Sequence, residues 1–188
     1  MDIVTLTDEQ RQALVNTMSV YRDSLSDEDI LESMDCLAMI LTELGGGYYD
    51  EQRQWRPSLK TVYAFDLEVY GIGQMYALFL QGIMSLGQGE LVLQNVVKDQ
   101  SAVDWQAGTG TIAIDFAYNG LPERLILACQ QDWFGLDAIR QMNRLFAERG
   151  NPKRRYYLTD GYLECLIFYN TPQWAERFAQ CTRHILYG

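Results

Sequence analysis

The dipeptide Asn119-Gly120 stands between two runs, residues 111–118 and 121–129, in which apolar side chains alternate with others. Asparagine and glycine both tolerate positive φ, the backbone of the two-residue type I′ turn whose twist matches that of paired strands. An antiparallel hairpin is therefore expected here. A hairpin with one apolar face must bury that face, so the rest of the chain has to supply helices or a second sheet to cover it.

The remaining periodicities supply both. Tyr63, Phe65, Leu67 and Val69 alternate with Ala64, Asp66, Glu68 and Tyr70, the pattern of a half-buried strand. Further strands are expected over residues 91–97, 155–158 and 162–169, the last two joined by the turn Thr159-Asp160-Gly161. In the final strand Leu163, Cys165 and Ile167 alternate with Leu166 and Phe168, so both faces are apolar and the strand should lie centrally in its sheet. Met75, Leu78, Phe79, Gly82, Ile83 and Leu86 mark the inner face of a helix ended by Gly87. Leu136, Ile139, Met142, Leu145 and Phe146 mark another, closed by Gly150. Thr171-Pro172, a cap followed by proline at the first helical position, opens a last helix expected to bury Trp174, Phe178, Cys181 and Ile185.

At the start of the chain Thr7 and Gln10 form a capping box ahead of Leu14, Val15, Met18 and Tyr21. Ser26 can cap a second helix, whose stripe from Ile30 to Leu44 stops at Gly45 to Gly47. The fold class expected is α+β: an N-terminal helical hairpin followed by a mainly antiparallel sheet with interspersed helices. Residues 1–188 are read as a single domain, with residues 1–47 as an acidic helical subdomain.

Charge is distributed unevenly. Residues 1–50 hold eleven acids against Arg11 and Arg22, nine of the ten net negative charges, whereas residues 151–188 hold five cations against three acids. A surface of one sign draws partners of the other over roughly 8 Å at physiological salt. The start of the chain lacks the basic and apolar stretches of a secretory signal, and the apolar run 75–86 is shorter than a membrane span needs. A soluble, cytoplasmic protein is expected, with Cys36, Cys129, Cys165 and Cys181 as dispersed, buried, unpaired thiols.

Chemical motifs are few. Gly71-Ile72-Gly73 sits between a strand and a helix as a dinucleotide fingerprint would, but Tyr76 stands where the third glycine belongs. His184 is the single histidine, which leaves a zinc site or a Cys-His pair without support. Asp66 and Glu68 on one strand face, with Asp115 on another strand, could hold Mg²⁺ or act as acid and base, although alternate acids are also the ordinary solvent face of a strand. Lys153-Arg154-Arg155 before Tyr156-Tyr157 could stack a base, against a long-range field that repels nucleic acid. No metal or cofactor is expected. Tyr48, Tyr49, Trp55, Trp105 and Trp133 fall in expected loops, several beside acids; aromatics so placed can anchor basic protein partners, and more commonly pack back over the core.

Taken along its length, the chain resembles the small acidic α+β proteins that bacteria use as immunity proteins against polymorphic or contact-dependent toxins. The likeness rests on the acidic N-terminal helices, on Trp105-Gln106-Ala107-Gly108-Thr109-Gly110-Thr111 leading into the hairpin, and on the turn Thr159-Asp160-Gly161-Tyr162 running through Ile167-Phe168-Tyr169 to the Trp174 helix. The resemblance implies a non-enzymatic binding module whose acidic surface caps a basic toxin. On this reading the partner-binding residues are Asp27, Glu28, Asp29, Glu32, Trp55, Trp105 and Trp133, with no nucleic acid or membrane involved. The alternative is a small enzyme or ligand-binding domain with a carboxylate-lined cleft near Asp66 and Glu68.

Overall fold

The computed structural model describes residues 41–42, 45–53, 55–57, 62–66, 72–87, 89–130, 134–159, 164–182 and 185–188. The acidic helical hairpin expected over residues 1–47 lies outside this set except for its end, where Leu41, Thr42 and Gly45 are helical. Ten strands and three helices follow among the described residues. A short hairpin pairs β1 (Gly47–Tyr49) with β2 (Trp55–Pro57). The central sheet has the order β10-β8-β9-β3, built from β3 (Tyr63–Asp66), β8 (Arg155–Thr159), β9 (Glu164–Asn170) and β10 (Leu186–Tyr187). The outer sheet places β6 (Thr109–Tyr118) between β7 (Leu121–Gln130) on one side and β4 (Leu93–Asp99) and β5 (Val103–Asp104) on the other. The helices are α1 (Ile72–Leu86), α2 (Asp137–Arg149) and α3 (Pro172–Thr182).

The α+β expectation holds in its mixture of helices and antiparallel sheets, but the strands divide into separate sheets where one had been expected. Tyr48, Tyr49 and Trp55, expected in loops, lie in β1 and β2, where Trp55 sits across from Tyr49. Asp104 belongs to β5, and Leu186 and Tyr187 pair with β8. Ile185, expected on the buried face of the last helix, lies past its end and is exposed. Two- and three-residue strands carry too little alternation to be read from a pattern; their partners impose the extended backbone.

Position in the fold explains the burial of β9. It runs between β8 and β3, and Cys165 to Tyr169 are all buried. Cys165, Ile167 and Tyr169 enter the main core with α1, α2 and the inner face of the outer sheet, while Leu166 and Phe168 join Leu41, Val62 and Phe178 on the other face. Burial also forbids charge on the thiol, and Cys165 is pushed up to about 12. Cys129 and Cys165 are both buried and neither forms a disulfide, whereas Cys36 and the Cys181 side chain lie outside the described part.

The hairpin turn is as expected: Asn119 has φ 52° and Gly120 φ 77°, and Tyr118 pairs with Leu121. Asn119 has a second role, since its Nδ2 donates to the Arg149 carbonyl at 3.0 Å and so satisfies a terminal carbonyl of α2. Thr171 caps α3 as expected, its Oγ1 accepting from the Trp174 amide at 3.3 Å.

Helix α2 fastens the two sheets by one device used twice. Gln141 accepts from the Ile126 amide and donates to the Ile126 carbonyl, at 3.3 and 2.8 Å, on the outer edge of β7. Two residues on, Asn143 does the same to Tyr156 of β8, at 2.7 and 2.8 Å. Each carboxamide imitates a neighbouring strand, covering an edge position that would otherwise expose an unpaired amide and carbonyl.

Candidate functional site

Several ionisable groups among the described residues are engaged in holding the fold. Glu90, in the turn after α1, accepts at Oε2 from Asn151 Nδ2 and from the Tyr169 hydroxyl, both at 2.8 Å, and its Oε1 meets Arg154 at 3.4 Å. The Asn151 bond, with Tyr169 and Arg154 assisting, holds the Glu90 carboxyl below the ordinary glutamate range. Arg154 also lies over the Tyr169 ring, 5.7 Å from its centroid. Desolvation and then the bond donated to Glu90 push the Tyr169 hydroxyl up, so it remains a proton donor.

The basic and aromatic cluster at residues 153–157 is thereby dismantled as a stacking surface. Tyr156 and Tyr157 are buried, and Tyr156 donates to the Ile83 carbonyl at 2.7 Å, so neither ring offers a free face to a base. At the glycine motif, Tyr76 is also buried, packed on Phe134 with ring centroids 5.1 Å apart, and its hydroxyl accepts from the Gly135 amide at 3.4 Å. An aromatic side chain fills the space a fingerprint glycine would leave open.

Of the three candidate carboxylates, the two described lie in different sheets. Asp66 is an exposed residue at the end of β3 in the central sheet; Asp115 projects from β6 in the outer sheet, where it meets Arg124 at 3.5 Å; Glu68 lies outside the described residues. Among the described residues no group of three or more His, Cys, Asp or Glu is placed to hold a metal ion.

Aromatics give a different picture. Tyr48, Tyr49 and Trp105 expose 57%, 65% and 55% of their surface. Trp105 follows Asp104 in a turn whose backbone is tied, because Asp104 Oδ1 accepts from the amides of Gln106 and Ala107 at 2.9 and 3.0 Å and the Gly108 amide returns to the Asp104 carbonyl at 2.8 Å. Phe134, beside the expected anchor Trp133, instead enters the core against Phe65 and Phe79. Trp133 itself lies outside the described residues, as do Asp27, Glu28, Asp29 and Glu32, and the structure describes only the backbone of Trp55.

A cleft of about 510 Å³ opens between the start of α2 and the β8–β10 edge. Its walls are Leu136, Ile139, Leu158, Leu186 and Tyr187, and Arg140 is the charged side chain at its lining. Nothing in the sequence announces it, because it exists only once Leu186–Tyr187 pairs with β8.

No helix among the described residues is long and apolar enough to cross a membrane. No protein-family model, curated protein or solved structure matches the chain.

Proposed function

We propose that the chain is a non-enzymatic protein-binding module that neutralises a basic partner in the manner of a bacterial immunity protein, working in the cytoplasm without metal, cofactor or nucleic acid. The observation that carries this reading is Trp105, a large aromatic more than half exposed on a turn locked by Asp104. A turn whose backbone is already fixed loses little backbone freedom on binding, and a large exposed aromatic on it can supply much of the contact energy, the character of an interface anchor. Tyr48 and Tyr49 extend the same chemistry to the β1–β2 hairpin. The excess of acids in residues 1–50 selects a basic protein and speeds its approach.

The test is co-expression with the product of the adjoining open reading frame. A basic, toxic product that forms a stable complex and loses its toxicity is the expected result. Reversing Asp27, Glu28, Asp29 and Glu32 to lysine should slow association and flatten its salt dependence, with the fold retained. An adjoining metabolic enzyme with no complex, or turnover of a small substrate by the purified chain, would contradict the proposal.

A further inference from the structure

The outer sheet buries one face in the core and leaves the other open. Residues directly opposite each other on paired strands share a face. Val97, Asp115 and Arg124 therefore form one row of the open face, and Asp99, Ala113 and Ile126 the next. The relief is a trough, because the middle strand β6 contributes the small Ala113 and Ala117 while Val97 on β4 and Ile126 on β7 stand beside them, 60% and 57% exposed. Three strands spaced about 4.8 Å apart span about 10 Å, close to the diameter of an α-helix. A helix is also what ordinarily covers a sheet face, as helices cover the inner face of this sheet.

Charge selects the occupant. Arg124 is shared between Asp115 at 3.5 Å and Asp99 at 3.8 Å, all three about half exposed, so two carboxylates have one cation between them. Asp104, paired with Thr109 at the end of the sheet, adds a third acid, and the Trp105 turn follows it. A second copy would set a formal charge of -10 against -10, and residues 1–50 of the chain itself hold eleven acids against two arginines, so neither complements this face. We infer that the trough seats a basic amphipathic helix of a partner protein, its apolar stripe over Ala113 and Ala117 between Val97 and Ile126, and its cations on Asp99 and Asp115. The inference rests on the basic-partner reading above for the identity of the partner, and adds the shape that partner presents.

The probe is a synthetic helix of leucine and lysine, about five turns long with its leucines on one face, titrated by calorimetry against the full chain. Its counterpart carries glutamate in place of lysine. Saturable binding of the lysine helix is expected, at least about tenfold tighter than that of the glutamate helix. Asp99→Asn with Asp115→Asn should weaken it about fivefold, the scale of two exposed ion pairs, and Ile126→Lys at least about tenfold through lost apolar contact and added like charge. Glu148→Gln with Glu176→Gln removes the same charge from exposed positions of α2 and α3, and should leave affinity within about twofold of the parent. All five positions lie at the surface, so the thermal midpoint should move by no more than a few degrees in any variant. Equal weakening by the two double variants, or affinity unchanged in Ile126→Lys, would place the helix elsewhere and overturn the inference while leaving the basic-partner reading in place. No saturable binding of the lysine helix would overturn the inference alone, since the adjoining product still tests that reading. Equal binding of the lysine and glutamate helices would overturn both.

Discussion

Strands β9 and β7 are both paired antiparallel, yet they use their side chains differently. In β9 every residue from Cys165 to Tyr169 is buried, because helices and core lie on both faces of the central sheet. In β7 Leu125, Leu127 and Cys129 point inward while Arg124, Ile126 and Ala128 remain exposed, because the outer sheet is covered on one face. The central sheet holds the molecule together, whereas the outer sheet and the short hairpin present surface. A strand's sequence thus records how many of its faces the fold closes.

The largest expected effect sets these regions against each other. Phe168→Ala, removing a ring packed on Trp174 and Phe178, should cost about 3–5 kcal/mol in chemical denaturation, and Ile126→Ala, on the open face, should stay within about 0.5 kcal/mol. Similar losses at both sites would remove the distinction.

Glycines sharpen it next. A Cβ at Gly82 would overlap the Tyr63 ring and push α1 off β3, so Gly82→Ala should destabilise by about 1–3 kcal/mol. Gly120→Ala meets no neighbouring atom and bears only the strain of its positive φ, about 1 kcal/mol. The two carboxamide clamps provide a matched pair. Asn143→Ala should cost about 1–3 kcal/mol because Tyr156 is buried, and Gln141→Ala should cost less because water can replace it at exposed Ile126.

The smallest effect is a pH dependence. The folded-state pKa of Glu90 lies below its unfolded value, so its contribution is present above the ordinary glutamate pKa of 4.5 and is lost as pH falls through the lower folded value. Glu90→Gln should therefore flatten the acid limb of stability against pH and, because Glu90 also helps to raise the Tyr169 hydroxyl, soften the alkaline limb by a smaller amount. An unchanged acid limb would show that the Asn151, Tyr169 and Arg154 contacts do not favour the ionised carboxylate.

Legibility in the sequence followed the reach of local rules. Asn119-Gly120 specifies its own turn, Thr171-Pro172 its own helix start, and the two-faced run through Ile167 its central position. What escaped depends on partners distant in the chain. Val103–Asp104 is a strand because β6 lies beside it, Leu186–Tyr187 because β8 does, and the cleft at Arg140 follows from that last pairing. The fate of the loop aromatics was not legible: Tyr48, Tyr49 and Trp105 are exposed, whereas Phe134 turns inward because Phe65, Tyr76 and Phe79 make a pocket that no neighbouring residue reveals.

The proposed function requires that the exposed aromatics serve recognition and contribute little to folding. It is tested by a single variant, Tyr48→Ala, Tyr49→Ala and Trp105→Ala combined, measured for thermal midpoint and for affinity toward the basic product of the adjoining open reading frame. The expected result is a midpoint within a few degrees of the parent with affinity reduced at least about thirtyfold, the scale of one lost anchor. A large fall in midpoint, or affinity equal to the parent's in a folded variant, would contradict it.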